Sequence, residues 1–175
     1  MFEVTGVMIS EDQIKEKVYE LAKQIEKDFK GQQLLVVGIL KGSSVFVADL
    51  IRQMDLDINI DFMSVSSYGN STKSSGTVKI LKDLDVDIEG KNVLIVEDII
   101  DSGLTLSNLV AALETRKPKT LTICTLLDKP QRRTADIKVD YVGFVIEDKF
   151  IVGYGIDYAE KYRNLPYIGV VEDVN

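Results

Sequence analysis

One stretch, residues 92–115, constrains the fold of this chain more than any other. It reads NVLIVEDIIDSGLTLSNLVAALET and begins with the apolar run Val93 to Val96. A short, β-branched run of this kind is typical of a strand that is buried on both faces of a parallel sheet. The second half repeats apolar residues at helical spacing, at Leu106, Leu109, Val110 and Leu113. The stretch therefore predicts a buried strand, a short loop and a helix.

The predicted loop combines carboxylates with a turn of small residues. Glu97, Asp98 and Asp101 come where the strand is expected to leave the sheet, and Ser102 and Gly103 come just before the helix. A glycine turn at a helix N-terminus favours anions, whereas carboxylates favour cations and hydroxyl groups. A phosphorylated sugar with Mg²⁺ would satisfy both halves of the loop. The alternative is a solvated acidic loop with a helix cap.

Strand and helix patterns alternate along the rest of the chain. We predict strands over residues 2–9, 33–40, 58–66, 119–127, 141–146 and 150–153, with helices after Ser10 and after Ser44. Ser10 and Gln13 form a capping box, and Gly31 is a plausible helix stop. This order predicts an α/β fold, a mostly parallel twisted sheet with helices on both faces, and ligands beyond the carboxyl ends of its strands. We see no internal repeat or linker, so residues 1–175 are expected to form one domain.

Composition limits the classes of function. The chain has 45% hydrophobic and 28% charged residues, as expected of a soluble globular protein, and its net charge of −7 argues against a general nucleic-acid or anionic-membrane binder. It contains no histidine, which leaves carboxylate, lysine or tyrosine for proton transfer. The single cysteine, Cys124, fits a reducing cytoplasm, and residues 1–10 do not resemble a signal peptide. We expect a cytoplasmic protein.

A second turn, Lys41 to Ser44, follows the strand over residues 33–40. A glycine turn after a strand suggests a nucleotide-binding P-loop, but that motif places its lysine after the second glycine, and here Lys41 precedes Gly42. Taken alone, this turn is a weak signal for a phosphate site.

The sequence of residues 93–106, VLIVEDIIDSGLTL, resembles the phosphoribosyl pyrophosphate (PRPP) motif of type I phosphoribosyltransferases, in the form typical of their hypoxanthine-guanine branch. The resemblance extends over nearly the whole chain. It implies the family's fold, including a small hood subdomain formed by the chain ends. It also implies Mg²⁺ as cofactor, PRPP and a 6-oxopurine as substrates, and a homodimer or homotetramer.

The resemblance also assigns candidate site residues. Asp101 is the implied catalytic acid/base. The residues implied for PRPP and ribose phosphate are Glu97, Asp98, Asp101, Ser102, Gly103, Leu104 and Thr105. Those implied for pyrophosphate are Lys41, Gly42 and Arg163, with Arg133 as a weaker candidate. Those implied for the purine are Lys129, Phe150, Ile151 and Asp157. Glu97, Asp98 and Asp157 are the implied metal contacts.

Three further expectations follow from the same likeness. Leu40-Lys41-Gly42 resembles the family's pyrophosphate loop, which commonly contains a cis peptide bond. Ser67 and Tyr68 match the start of a flexible lid over residues 67–77, although a disordered hairpin tip is the alternative. Leu104 is a departure, since some relatives carry lysine there, and we expect a modestly weaker phosphate site.

The implied reaction is transfer of the 5-phosphoribosyl group from PRPP to N9 of hypoxanthine or guanine. Lys129 can only donate hydrogen bonds, so adenine should be rejected. Two alternatives stay open at this point. One is a xanthine or pyrimidine transferase of the same family, and the other is a transcriptional attenuator that binds RNA on the same fold. The acidic composition weighs against the second.

Overall fold

The computed structural model describes residues 1–67 and 78–174. Strand β1 (Phe2–Ile9) leads into helix α1 (Glu11–Asp28). The predicted capping box is confirmed, because Ser10 Oγ accepts the Gln13 N–H at 3.2 Å and Gln13 Oε1 accepts the Ser10 N–H at 2.8 Å. The chain turns beyond α1 at Gly31, which has a φ of 75°. Of the predicted lid, residues 68–77 lie outside the described residues.

A six-stranded sheet forms the centre of the molecule, in the order β4-β3-β2-β5-β6-β7. Its strands are β2 (Gln33–Ile39), β3 (Asp57–Ser67), β4 (Val78–Lys82), β5 (Asn92–Ile100), β6 (Thr120–Asp128) and β7 (Tyr141–Val145). All neighbours are parallel except β3 and β4, which are antiparallel. The prediction of a mostly parallel sheet is therefore confirmed. The strand order reverses direction between β2 and β5, where ligands bind in sheets of this type.

Helices cover both faces of the sheet, as predicted. Helix α1 and helix α2 (Ser44–Ile51) pack on one face, and helix α3 (Leu104–Glu114) packs on the other. Because side chains alternate along a strand, Leu34 and Val36 of β2 point into the first core, whereas Leu35 and Val37 point into the second. Burial on both faces explains why the central strands are continuous apolar runs rather than alternating ones.

The chain ends form a second, smaller sheet, in the order β1-β9-β8. Strand β9 (Ile168–Asp173) pairs antiparallel with both β1 and β8 (Ile151–Val152). The expected hood subdomain is thus present as a three-stranded sheet. Neither β9 nor β4 was predicted from the sequence. Among the described residues, no helix combines the length and apolar character needed to cross a bilayer.

One predicted boundary was wrong at the stretch around which the fold is built. Strand β5 does not end at Val96 but continues to Ile100, so that Glu97 and Asp98 lie within the strand and not in a loop. The parallel ladder with β6 explains the difference, since it continues through Glu97–Thr125 to Ile100–Asp128. The acidic pair is therefore held by the sheet itself.

Candidate active site

The carboxyl ends of β2, β5 and β6 meet at one edge of the central sheet, where a cavity of about 220 Å³ opens. The cavity is lined by Glu97 and by residues 99–106. The predicted acidic and small-residue halves of the stretch thus share one cavity.

The small-residue turn leads directly into helix α3. Gly103 caps the helix in the left-handed conformation, with a φ of 75°, and the helix begins at Leu104. A side chain at position 103 would be strained by this conformation, and its Cβ would also crowd Arg133 Cδ and Ile137 Cγ2 at 3.1 Å. Main-chain N–H groups in the first turn of a helix have no partner within the helix, and this makes the turn suitable for a phosphate.

Hydrogen bonds from neighbouring segments also hold this turn in place. The Leu104 N–H donates to Ser102 Oγ at 3.2 Å, and the Ser102 carbonyl accepts N–H bonds from Thr134 and Ala135 at 3.0 and 3.1 Å. Arg133 adds to these bonds, because its Nε donates to the Asp101 carbonyl at 3.2 Å and its Nη2 pairs with Asp128. These contacts place Arg133 behind the turn that begins α3.

The adjacent carboxylates of Glu97 and Asp98 are only partly exposed. Burial raises the pKa of Glu97 well above its usual value, and the neighbouring charge of Asp98 raises it further. Burial likewise raises the pKa of Asp98 to about 6, although the N–H of Ile99 and the positive charge of Arg163 act in the opposite direction. A nearby cation, or hydroxyl groups that donate hydrogen bonds, would stabilise the charged form of both carboxyl groups.

The loop after β2 lies directly beside Asp98. The peptide bond between Leu40 and Lys41 is cis, as expected. A Cβ atom on Gly42 would lie 1.9 Å from Asp98 Oδ2, and one on Gly155 would lie 2.2 Å from the Gly42 carbonyl oxygen. Glycine at these two positions therefore allows three segments that are distant in sequence to meet in close contact.

The segment after β8 contributes a charged network to this edge. Arg163 donates from Nη1 to the Gly155 carbonyl at 2.8 Å, and its Nη2 lies 3.2 Å from Asp157 Oδ1. The same Nη2 lies 3.2 Å from Glu160 Oε1, and Glu160 Oε2 accepts a hydrogen bond from Lys41 Nζ at 3.0 Å. The structure thus brings Lys41, Asp157 and Arg163 together. Glu160, the fourth member, was missed by the sequence analysis.

Lys129, next to Asp101, is buried, with 7% of its surface exposed. Its Nζ donates to the Lys149 carbonyl at 2.7 Å and lies 3.8 Å from Asp101 Oδ1 and 3.6 Å from Asp148 Oδ1. Lys129 and Asp101, which follow two different strands, are therefore neighbours.

Phe150 and Ile151 follow this lysine pocket. Phe150 is 45% exposed, so it is not a core residue, and its ring packs nearly perpendicular to those of Tyr158 and Phe2, at centroid distances of 5.2 and 6.4 Å. Ile151 has a buried side chain, and its strand β8 forms the edge of the small sheet. An edge strand presents main-chain N–H and C=O groups on its open side. Phe2 and Tyr158 were not predicted as neighbours, since no local pattern connects them.

The remaining predicted residues are placed less fully. Ser67 ends β3, but its side chain and all of Tyr68 lie outside the described residues. Within the described parts of the chain, no group of three or more Asp, Glu, Cys or His side chains is arranged to hold a metal ion. The acidic pair on β5 fits a cation that takes its other ligands from a substrate, as Mg²⁺ usually does.

Comparisons with known proteins agree with this geometry. Residues 10–159 match the model of the phosphoribosyl transferase domain family. The chain is 56% identical over 170 residues to the hypoxanthine-guanine phosphoribosyltransferase of Bacillus subtilis, with 97% of this chain and 94% of that protein covered. It is 56% identical over 167 residues to the hypoxanthine phosphoribosyltransferase of Salmonella typhimurium, with 94% of each covered. The crystal structure of a hypoxanthine-guanine phosphoribosyltransferase from Bacillus anthracis superposes with a TM-score of 0.92 at 57% identity, covering 98% of this chain and 100% of that one.

Proposed function

The chain belongs to the phosphoribosyltransferase family, in its hypoxanthine-guanine branch, and we propose that it transfers the 5-phosphoribosyl group from PRPP to N9 of hypoxanthine or guanine. The products are IMP or GMP and pyrophosphate. One observation carries the assignment of residues, namely that Lys129 Nζ and Asp101 Oδ1 lie 3.8 Å apart beside a turn suited to a phosphate. O6 and N7 are neighbours on one edge of a purine, and this pair of side chains can bind both.

Recognition of the base depends on the direction of its hydrogen bonds. Lys129 can only donate, and its Nζ is already fixed by the Lys149 carbonyl, so it is positioned to donate to O6 of hypoxanthine or guanine. Adenine presents an amine at that position and would leave buried donors unpaired, which a polar site rejects strongly. Phe150 would stack on the base, and the main chain at Ile151 and Asp157 would contact its edge.

PRPP would lie along the carboxyl edge of the central sheet. The turn from Asp101 to Thr105 would bind the 5-phosphate through main-chain N–H groups, and Leu104 would contribute its N–H rather than a charged side chain. Glu97 and Asp98 would accept hydrogen bonds from the ribose hydroxyl groups. Lys41, Gly42 and Arg163 would bind the pyrophosphate, which is supported by the close approach of Gly42 to Asp98 and by the shared contact of Lys41 and Arg163 with Glu160.

Displacement at C1 of the ribose transfers the group. Glu97 and Asp98 would hold a Mg²⁺ that takes its other ligands from the substrate, and Asp157 would contact a second one; the bound metal would supply positive charge to the departing pyrophosphate. The negative charges of Glu97 and Asp98 favour the positive charge that develops on the ribosyl group. Asp101 accepts the proton from N7 as N9 attacks C1, and its carboxylate is held within reach of the base by the same loop that binds the phosphate.

Two alternative functions receive less support. A xanthine or pyrimidine transferase would need different partners for the base than Lys129 and the segment from Phe150 to Asp157. An RNA-binding regulator would need a basic, aromatic surface to contact phosphates, and the chain has a net charge of −7. We further propose a cytoplasmic homodimer or homotetramer, for which family likeness is the support.

The test is production of IMP and GMP from Mg²⁺, PRPP and each purine by the native chain and by Asp101→Asn. We expect turnover with hypoxanthine and guanine, almost none with adenine, and a fall in kcat of about 100-fold or more for the variant, with PRPP binding kept. Asp148→Asn is the matched control, because Asp148 Oδ1 lies 3.6 Å from Lys129 Nζ but has no role in proton transfer.

The possible outcomes distinguish the salvage function from the proposed role of Asp101. If the native protein binds PRPP but converts no purine, the salvage function is wrong and a regulatory function moves to the front. If turnover occurs but Asp101→Asn is nearly as fast as the native chain, the enzyme assignment stands and the proton leaves by another route than Asp101.

A further inference from the structure

Glu160 makes the contacts that an anionic ligand would be expected to make. Its two carboxylate oxygens accept hydrogen bonds from Lys41 Nζ at 3.0 Å and from Arg163 Nη2 at 3.2 Å. These are the two cations that the proposed function assigns to the pyrophosphate group of PRPP. The hydrogen bond from Lys41 is the main reason that the pKa of Glu160 is lowered, so the carboxylate is ionised at neutral pH.

Glu160 differs from Asp157, the other acid beside Arg163. Asp157 Oδ1 lies 3.2 Å from Arg163 Nη2, while Asp157 Oδ2 accepts the Glu160 N–H at 2.8 Å, which fixes the carboxylate against its own turn. The Asp157 side chain is 30% exposed, whereas that of Glu160 is 66% exposed. Asp157 is therefore held in place by its own turn, whereas the Glu160 side chain can rotate into solvent once its bonds to Lys41 and Arg163 are replaced.

The backbone of the turn presents Glu160 toward the pyrophosphate loop. Ala159 and Glu160 have φ values of 50° and 64°, a conformation that is uncommon for residues other than glycine. The resulting ion pair joins two segments that are 119 residues apart in sequence. Ion pairs between exposed side chains are weak, so an incoming phosphate can replace this one at small cost.

We propose that Glu160 is an internal competitor of the pyrophosphate group: it pairs with Lys41 and Arg163 in the free site and moves aside when PRPP or pyrophosphate binds. This inference rests on the proposed function of Lys41 and Arg163. Glu160 thereby lowers the affinity of the site for diphosphate anions and speeds the release of pyrophosphate after transfer. Its carboxylate also repels the bound diphosphate for as long as it stays nearby.

The experiment compares native protein with Glu160→Gln, which keeps the shape of the side chain and removes its charge. We expect the dissociation constant for magnesium pyrophosphate, measured by calorimetry, to fall about three- to tenfold, with a parallel fall in the KM for PRPP. The KM for hypoxanthine should stay unchanged, since a merely structural residue would alter both substrates. The difference should shrink at high salt, because exposed charges are screened.

Two further variants make the result decisive. Glu20→Gln removes the same charge from the exposed Lys17–Glu20 pair on α1, at 2.9 Å, and should leave pyrophosphate binding unchanged. Lys41→Ala should weaken pyrophosphate binding, which tests the premise. If Lys41→Ala has no effect, the proposed role of Lys41 fails and the inference fails with it.

If Lys41→Ala weakens binding but Glu160→Gln leaves it unchanged, the inference about Glu160 is overturned and the proposed function stands. Weaker binding by Glu160→Gln also overturns it, since the carboxylate would then be holding the ligand or its metal. Glu160→Ala should show the same gain in pyrophosphate affinity as Glu160→Gln. If one of the two variants does not fold, the other provides the test.

Discussion

The acidic pair of the candidate site, Glu97 and Asp98, lowers the stability of the folded protein. Glu97 and Asp98 occupy adjacent positions of one strand and are partly buried, and burial raises the pKa of both carboxyl groups. A raised pKa means that the folded protein disfavours the charged form relative to the unfolded chain. The ligand-free protein is therefore less stable at neutral pH than a neutral isostere of the pair would make it.

Replacing Asp98 by asparagine should stabilise the ligand-free protein in a pH-dependent way. The pKa of Asp98 is about 6 in the folded state, against an ordinary value of 3.8, so the folded state binds the proton more tightly between these values. The native free energy of unfolding consequently falls as pH rises through this window, and the variant lacks that fall. We expect Asp98→Asn to gain about 1 to 3 kcal/mol at pH 8 and little at pH 4.

Urea unfolding at the two pH values, without Mg²⁺ or PRPP, measures this gain. Asp136→Asn, at an exposed position, serves as the control for loss of one negative charge. An equal gain for Asp98→Asn at pH 4 and pH 8 would show that packing, and not the carboxyl proton, is responsible.

Two site residues that the family resemblance assigned also follow the ends of predicted strands. Lys129 follows β6 and Asp101 follows β5, and because parallel strands end at the same edge, the two side chains lie 3.8 Å apart. Glu160 and Phe2, by contrast, were missed. Glu160 meets Lys41 across 119 residues and Phe2 meets Phe150 at the sheet edge, and no spacing in the sequence indicates either contact.

Among the structural elements, the turn that follows β8 determines how closely the segment from Asp157 to Arg163 approaches the loop after β2. Gly153 and Gly155 have φ values of 103° and 98°, and Tyr154 between them has a φ of 50°. Tyr154 turns its hydroxyl group to Asp49 on α2, and Gly155 packs against the Gly42 carbonyl. The turn thus holds the segment from Asp157 to Arg163 against the loop that precedes α2.

Gly155→Ala should disrupt this contact. The new Cβ would lie 2.2 Å from the Gly42 carbonyl oxygen, at a φ of 98° that alanine rarely adopts, so the turn and the loop must separate. We expect a loss of about 2 to 4 kcal/mol of unfolding free energy and a KM for PRPP that rises by tenfold or more. Urea unfolding and initial-rate kinetics measure the two effects.

Gly90→Ala is the matched control for the cost of placing alanine at a positive φ. Gly90 has a φ of 70°, but nothing lies within 4 Å of a Cβ added there. Its substitution should cost about 1 kcal/mol and leave the KM for PRPP unchanged. If the two variants lose the same stability, the close approach of Gly155 to Gly42 is not what the turn requires.

The elements that the sequence predicted well are those whose faces are both buried. Strands β2 and β5 contain continuous apolar runs for this reason, and most of β6 is buried. Strand β4 is short and alternates between partly buried and exposed residues, and β9 contains Gly169 and ends in two acids, so neither gives a comparable signal. The end of β5 was misplaced because acidic residues usually leave a sheet, whereas here the ladder with β6 continues past them.

For the whole molecule, the site is the place where two sheets meet. The central sheet contributes Lys41, the acidic pair of β5 and Lys129, and the segment after β8 of the small sheet contributes Asp157 and Arg163. Contacts between the two parts at this edge include the Lys41–Glu160 ion pair, which is exposed and therefore weak, and the approach of Gly155 to Gly42. A ligand that binds residues from both parts should reduce their independent opening.

Hydrogen exchange can test whether PRPP joins the two parts. Magnesium PRPP should slow amide exchange in residues 97–106 and also in residues 151–173, because in the proposed function its pyrophosphate would contact Lys41 from one part and Arg163 from the other. Ribose 5-phosphate carries the 5-phosphate but no pyrophosphate, so at equal saturation it should slow exchange in residues 97–106 alone. Exchange in the second half of α1, which includes none of the proposed ligand contacts, should report only global opening. If ribose 5-phosphate protects residues 151–173 as strongly as PRPP does, then the pyrophosphate is not the link, and the coupling between the sheets runs through the packed core instead.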